Sequence, residues 1–403
     1  MTLSRRTFLR VAAGVGSAFA AGDLAAATFG SASFTNDGKV LLLLQLSGGN
    51  DGLSTVVPYA DEAYHRLRKA TRIEPSTVLK LDDATGLHPN LKGLKKLYDG
   101  GRAAVVRGVG YPDPNRSHFE SYEIWHTADL RGRAVDTGWI GRYADGLPDA
   151  VAGPTSTVHV GKTAPYSMTA KRRPPAVFET PDSYRWLGGA AETAALNDAS
   201  DDELAPRAGR DRALGKIRRT LLEAQASSAA VRAAAARYKA QATYPRTGLA
   251  GALHTTAALV KAGLGVKVFS LETGGFDTHV NQRPRHDQLM TQLDEGLTAF
   301  YADLSAQKLD GRVTTLVYSE FGRRAAENGS AGTDHGSASC LFVVGGEVKG
   351  GLYGRNPDLV DLERGDPRFT TDFRSVYATL LQGVLGTEPQ HVLGAAFAPV
   401  AFL

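Results

Sequence analysis

The chain has 403 residues, 42% hydrophobic and 22% charged, which supplies enough apolar material for a substantial core. Its formal charge of +4 owes much to Arg5, Arg6 and Arg10, and the remainder is close to neutral, so charge supplies no argument for a nucleic-acid partner. The single cysteine, Cys340, excludes an internal disulfide and, set in the apolar "SASCLFVVGG", reads as a core residue.

In chain order, residues 1–33 come first and read as a targeting segment. Ser4, Arg5, Arg6, Phe8 and Leu9 match the twin-arginine export pattern, and an Ala/Gly-rich apolar run follows. That run is too weakly apolar for a membrane span. The expected partner is the twin-arginine translocase, the destination is periplasmic or secreted, and no stable span remains after cleavage.

Residues 34–403 read as a single α/β domain. The run "KVLLLLQL" at 39–46 is continuously apolar and ends in "SGGNDG", the pattern of a strand buried on both faces of a parallel sheet. The same pattern returns at 103–110, 266–275, 313–322 and 340–346. Between the third and fourth of these, Leu289, Leu293, Leu297 and Phe300 or Tyr301 recur at helical spacing. A helix is also expected from Phe119 to about residue 128, and another near 372–384. Strand and helix alternate, which predicts a largely parallel sheet flanked by helices. Residues 186–250, rich in Ala, Arg, Glu and Lys, read as a helical insertion.

Open parallel sheets bind ligands beyond the carboxyl ends of their strands, and here those ends carry chemistry. Asn50 and Asp51 follow the first strand, in a context that also suits a plain turn. The second leads into Arg116, Ser117 and His118. Ser117 is placed to cap a helix or to act as a nucleophile beside an anion held at the helix N-terminus, with Arg116 as a bidentate clamp. Asp277, His279 and His286 cluster after the third strand as candidate metal ligands. Glu320 ends the fourth and, if buried, needs a cation or several donors; Arg323 and Arg324 are its nearest partners in sequence. Asp334 and His335 follow in a glycine-bracketed loop, their side chains diverging toward two ions, or toward one ion and a supporting role. So many carboxylate and imidazole groups on one edge point to a divalent cation, Zn, Mn, Mg or Ca, and two such ions would suit phosphoryl or sulfuryl transfer.

The words "LLQLSGGNDGLSTVVPY", "NRSHFESYEIWHTA", "ETGGFDTHVNQRPRHDQLMTQLDEGLTAFYADL" and "TLVYSEFGRRAAENGSAGTDHGSASCLFVVGGEVKGGLYG" resemble an exported bacterial family catalogued as domain of unknown function 1501. Together with "GWIGRY" and "DFRSVYATLL", the resemblance spans about residues 40–384. It implies kinship with the alkaline phosphatase and sulfatase superfamily: an alkaline-phosphatase-like α/β sandwich holding one or two divalent metals around a nucleophile. It further implies Asp51 as a metal ligand after the first strand, Ser117 as the nucleophile, and Asp277 with His279 and Asp334 with His335 as metal-binding pairs. Two departures from the phosphatase pattern stand out. "SEFG" occupies the strand end where an Asp-His pair is expected, which puts Glu320 in the Asp role, and the tight Asp277–His279 spacing makes His286 a rival ligand. Neither a Cys-x-Pro-x-Arg motif nor a Gly-x-Ser-x-Gly elbow is present. The function expected is an exported metal-dependent hydrolase of a phosphate or sulfate ester. The alternative is a non-catalytic relative that binds metal together with a cell-surface polymer or a partner protein.

Overall fold

The computed structural model describes residues 38–130, 135–185 and 210–403. Residues 1–33, expected from the sequence to be an export signal, and the first part of the Ala-rich insertion lie outside the described residues. Nine strands build the central sheet: β1 (Val40–Leu46), β2 (Ala103–Gly110), β3 (Thr157–Val160), β4 (Ala176–Phe178), β5 (Val268–Thr273), β6 (Val313–Tyr318), β7 (Ser339–Gly345), β8 (Gly351–Tyr353) and β9 (Thr371–Asp372). Across the sheet the order is β8-β2-β7-β6-β1-β5-β3-β4, with β9 also pairing with β2. Pairing is parallel throughout except at β7, which runs antiparallel to both β2 and β6.

The continuous apolar runs follow from burial on two sides. Along β1, Leu42, Leu44 and Leu46 join one core, while Leu41 and Leu43 join the other, because successive strand side chains point to opposite faces. The first core is closed by α1 (Lys92–Asp99), α4 (Arg210–Arg237), α5 (Gly248–Ala262) and α6 (Gln282–Ala306), which contribute Leu94, Val231, Leu253, Leu293 and Phe300. The second is closed by α2 (His118–Thr127), α3 (Trp139–Gly146) and α7 (Phe373–Gly383), through Trp125, Trp139, Phe373 and Tyr377. The molecule is therefore an α/β sandwich with helices on both faces of a mostly parallel sheet. No described helix is long and apolar enough to cross a membrane.

Two consequences bear on the site. The loops after β1, β2, β5 and β6 all emerge at the same edge, because these strands run in one direction. The reversed β7 enters the sheet from that edge, so residues 334 and 335 reach it from the amino end of a strand. Cys340 lies in β7, buried, and burial pushes its thiol up to about 12, as a core residue requires.

Leu44 is fully buried in the middle of β1. Leu44→Ala is expected to cost about 2–5 kcal/mol in urea denaturation, against a change within about 0.5 kcal/mol for the exposed Val280→Ala.

Candidate metal centre

Asp277 follows β5 after two glycines and sits at the middle of three imidazoles. His279 Nε2 and His335 Nε2 each lie 3.0 Å from Asp277 Oδ1 and 2.9 Å from one another. His118 Nε2 approaches Asp277 Oδ2 at 3.6 Å. His118, Asp277 and His335 place one ligand atom apiece within 4.8 Å of one another, a group able to hold a metal ion.

The outer nitrogens explain how the rings are oriented. His335 Nδ1 lies 2.8 Å from the Arg116 carbonyl; a carbonyl only accepts, so Nδ1 carries the hydrogen, and in the neutral ring Nε2 keeps its lone pair. His118 Nδ1 donates to Glu320 Oε1 at 2.7 Å and His279 Nδ1 to Asp334 Oδ1 at 3.2 Å. All three rings thus spend Nδ1 on an outer oxygen and turn Nε2 toward Asp277. Metal-ligating histidines have this arrangement, in which the second nitrogen donates to a carboxylate or carbonyl. Without a cation or protons between them, these lone pairs and the carboxylate would repel.

Charge points the same way. Burial alone would raise the carboxyl of Asp277, but Arg323 and the neighbouring histidines hold it down at about 2. Glu320 is fully buried; burial raises its carboxyl, but the hydrogen bonds from His118 and from the Gly48 N–H, 2.9 Å away, hold it below its ordinary value. Asp334 is lowered first by its hydrogen bond from Asn328. The His118 ring is raised, chiefly by its bond to Glu320. Three carboxylates, those of Asp277, Glu320 and Asp334, thus stand about the three imidazoles, with Arg323 against Asp277 and Arg324 acting on Asp334.

The sequence-predicted residues separate into groups. Asp277, His279 and His335 come together at the centre, with Asp334 and Glu320 behind them as hydrogen-bond acceptors. Asp334 and His335 diverge because Asp334 faces outward to His279 Nδ1 while His335 points inward. The partners expected for Glu320 are engaged elsewhere: Arg323 binds loop carbonyls and Asp277, and Arg324 reaches the Arg364 carbonyl.

Asp51 lies outside the centre. It is fully buried and caps a one-turn helix at Gly52–Thr55, accepting from the Leu53 N–H, Ser54 Oγ, Gln282 Nε2 and the buried Arg68. Burial would raise its carboxyl, yet Arg68 holds it far below the usual carboxylate range. His286 is also separate. It is buried on α6 with Nε2 3.2 Å from Asn50 Oδ1, and burial pushes it down to about 3, leaving it neutral. The Arg116 guanidinium is taken by Asp366, so this residue meets the centre through its carbonyl. Ser117 is the residue preceding α2, but its hydroxyl makes no capping bond.

His118 went unselected as a ligand in the sequence reading. The signal was its place directly after Ser117 at a helix start, but its partner Glu320 is 202 positions away.

Breaking the Arg68–Asp51 pair leaves a buried, unpaired carboxylate, so Arg68→Met should lose about 3–5 kcal/mol. Because native Asp51 titrates below its ordinary 3.8, the unfolded chain binds this proton more readily. The pair's contribution is therefore complete above about pH 4 and declines as the pH falls through the lower native value. Asp51→Asn should flatten the acid limb of a plot of stability against pH; an unchanged limb would show that the pair does not form.

A family model described as "Protein of unknown function (DUF1501)" matches residues 102–395. No curated protein matches the chain. Among solved structures, the chain is similar to the PsFucS1 sulfatase from Pseudoalteromonas sp., at 11% identity over 83% of this chain and 70% of that one, with a TM-score of 0.35. It is similar to a 2-O GAG sulfatase at 8% identity over 89% and 71%, with a TM-score of 0.37. A third is the lipoteichoic acid synthase LtaP from Listeria monocytogenes, at 10% identity over 84% and 75%, with a TM-score of 0.33. With its match running from β2 to beyond α7, the protein belongs to the DUF1501 family.

Proposed function

We propose that this protein is an exported, metal-dependent hydrolase of a phosphate or sulfate ester, centred on His118, Asp277, His279 and His335. The observation that carries the proposal is the convergence of three Nε2 atoms on one carboxylate, with every Nδ1 committed to an outer acceptor. Three imidazoles and one carboxylate suit zinc better than calcium, magnesium or manganese, which prefer oxygen ligands. A bound cation would neutralise charge on the ester oxygens and make a nucleophile more acidic.

The rest of the chemistry falls to this chain's own groups. Ser117 is the nucleophile in this reading, next to the ligand His118 and with a hydroxyl not used for capping. The N-terminus of the ten-residue α2 offers N–H groups and a favourable dipole to an anion. Glu320 and Asp334 fix the ring orientations of His118 and His279. Arg323, rather than Arg116, places a guanidinium beside the carboxylate of Asp277, 2.8 Å away. The Asp277 side chain is 46% exposed, so the centre opens to solvent, as a catalytic site needs and a closed structural site does not. This exposure favours hydrolysis over the reading as a non-catalytic metal-binding relative.

The exported protein should carry near-stoichiometric zinc by elemental analysis and hydrolyse 4-nitrophenyl phosphate or sulfate. Glu320→Gln should weaken metal affinity about 10- to 100-fold. Ser117→Ala should keep the metal and lose at least about a hundredfold in kcat. A folded wild type that is metal-free and inactive on both esters would overturn the proposal.

A further inference from the structure

His118, Tyr122 and His126 recur at four-residue intervals in α2, a spacing that brings side chains onto one face of a helix. Their rings stack. Tyr122 lies 6.1 Å from His118, with the planes at 28°, and 5.7 Å from His126, with the planes at 17°. The far end of this ladder is fixed: His126 is buried, and its Nε2 donates to Gln45 Oε1 at 2.9 Å, an oxygen that also accepts from the buried Tyr318 hydroxyl at 3.0 Å. Burial pushes the His126 ring down to about 4, so it stays neutral and backs the Tyr122 ring without carrying a proton.

The tyrosine hydroxyl meets the supports of the centre. It is hydrogen-bonded to Ser47 Oγ, directly after β1, and to the Glu320 carboxylate. A carboxylate only accepts, so the Tyr122 proton points to Glu320 and the Ser47 hydroxyl donates to the Tyr122 oxygen. The Gly48 N–H and His118 Nδ1 both donate to Oε1 of Glu320, at 2.9 and 2.7 Å. Ser319 Oγ lies 3.1 Å from Oε2 but stands closer to the Leu46 carbonyl, at 2.6 Å, and has one hydrogen to give. Without the Tyr122 hydroxyl, Glu320 would be held chiefly through the oxygen that serves His118. A buried carboxylate short of donors is costly, and this one would turn toward those that remain, shifting the acceptor that orients the His118 ring.

We propose that Tyr122, with Ser47 behind it, is a positioning residue for the metal ligand His118, acting through Glu320. It touches neither the ion nor the reacting bond. The inference rests on the reading of the centre as a metal site, and the identity of the nucleophile plays no part in it.

The test compares the purified wild type with Tyr122→Phe, which keeps the stacked ring and removes only the hydroxyl, and with Ser47→Ala, which removes that hydroxyl's donor. Each protein, stripped of metal by a chelator, is titrated with zinc against a chromophoric competitor and separately with cobalt(II), whose visible absorption bands report the geometry of its ligands. Tyr122→Phe should bind zinc about tenfold more weakly and show shifted cobalt bands, and Ser47→Ala should move both in the same direction by less. Tyr318→Phe, which removes a buried hydroxyl bonded to Gln45 instead, should match the wild type in both. Thermal melts identify a variant that fails to fold; if Tyr122→Phe is one, Ser47→Ala carries the comparison. Wild-type zinc affinity with unshifted cobalt bands in the folded variants would overturn the inference and leave the metal centre standing. An equal loss in Tyr318→Phe would reduce Tyr122 to a packing role and overturn it too. A wild type that binds neither zinc nor cobalt would overturn the metal centre itself, and this inference with it.

Discussion

The buried guanidinium of Arg323 holds the site edge together. Its Nε donates to the Gly49 carbonyl at 2.6 Å and its Nη1 to Thr333 at 2.8 Å, while Nη2 reaches the carbonyls of Gly48 and Phe276 and the carboxylate of Asp277. A buried charge is tolerable only when its donors are satisfied, and here satisfying them ties together three loops: the one after β1, the one after β5, and the one leading into β7. Gly48 makes the approach possible. Its φ is +114°, and a Cβ there would stand 2.6 Å from the Asp277 nitrogen, so any side chain would push Asp277 away from the histidines.

The same packing decides which charged groups serve structure and which are available for chemistry. Asp51 and Arg68 neutralise each other in a buried pair, and Arg116 is neutralised by Asp366. Glu320 takes a proton donor from His118 and another from Gly48. The imidazoles of His118, His279 and His335 gather around Asp277, where the loops meet and solvent enters. The reversed direction of β7 is essential, since it brings His335 to the carboxyl edge of parallel neighbours and orients it through the Arg116 carbonyl.

Much of this fold was legible because burial on both faces makes the strands of the sheet continuously apolar. The runs at 39–46, 103–110, 266–275, 313–322 and 340–346 correspond to β1, β2, β5, β6 and β7, and the spacing of Leu289, Leu293, Leu297 and Phe300 to the buried stripe of α6. Polar groups clustered at strand ends also pointed to the edge where Asp277 and the three histidines lie together. What local reading lacked was knowledge of long-range partners. Asp51 and Asp277 look alike in sequence, each after a strand and two glycines, yet one meets Arg68 and the other meets three imidazoles. His118 seemed secondary to Ser117 because Glu320, which orients it, is remote in the chain. His286 falls on the inward face of α6, where it meets Asn50 instead of the centre.

The most direct test is a crystallographic anomalous difference map of the purified protein recorded at the zinc edge. A single strong peak within bonding distance of His118, His279 and His335 Nε2 and the Asp277 carboxylate is the predicted result. A peak instead beside Asp51 and His286, or a well-ordered centre without any peak, would contradict it. The repulsion among those lone pairs would then have to be relieved by protons, and the centre would not be a metal site.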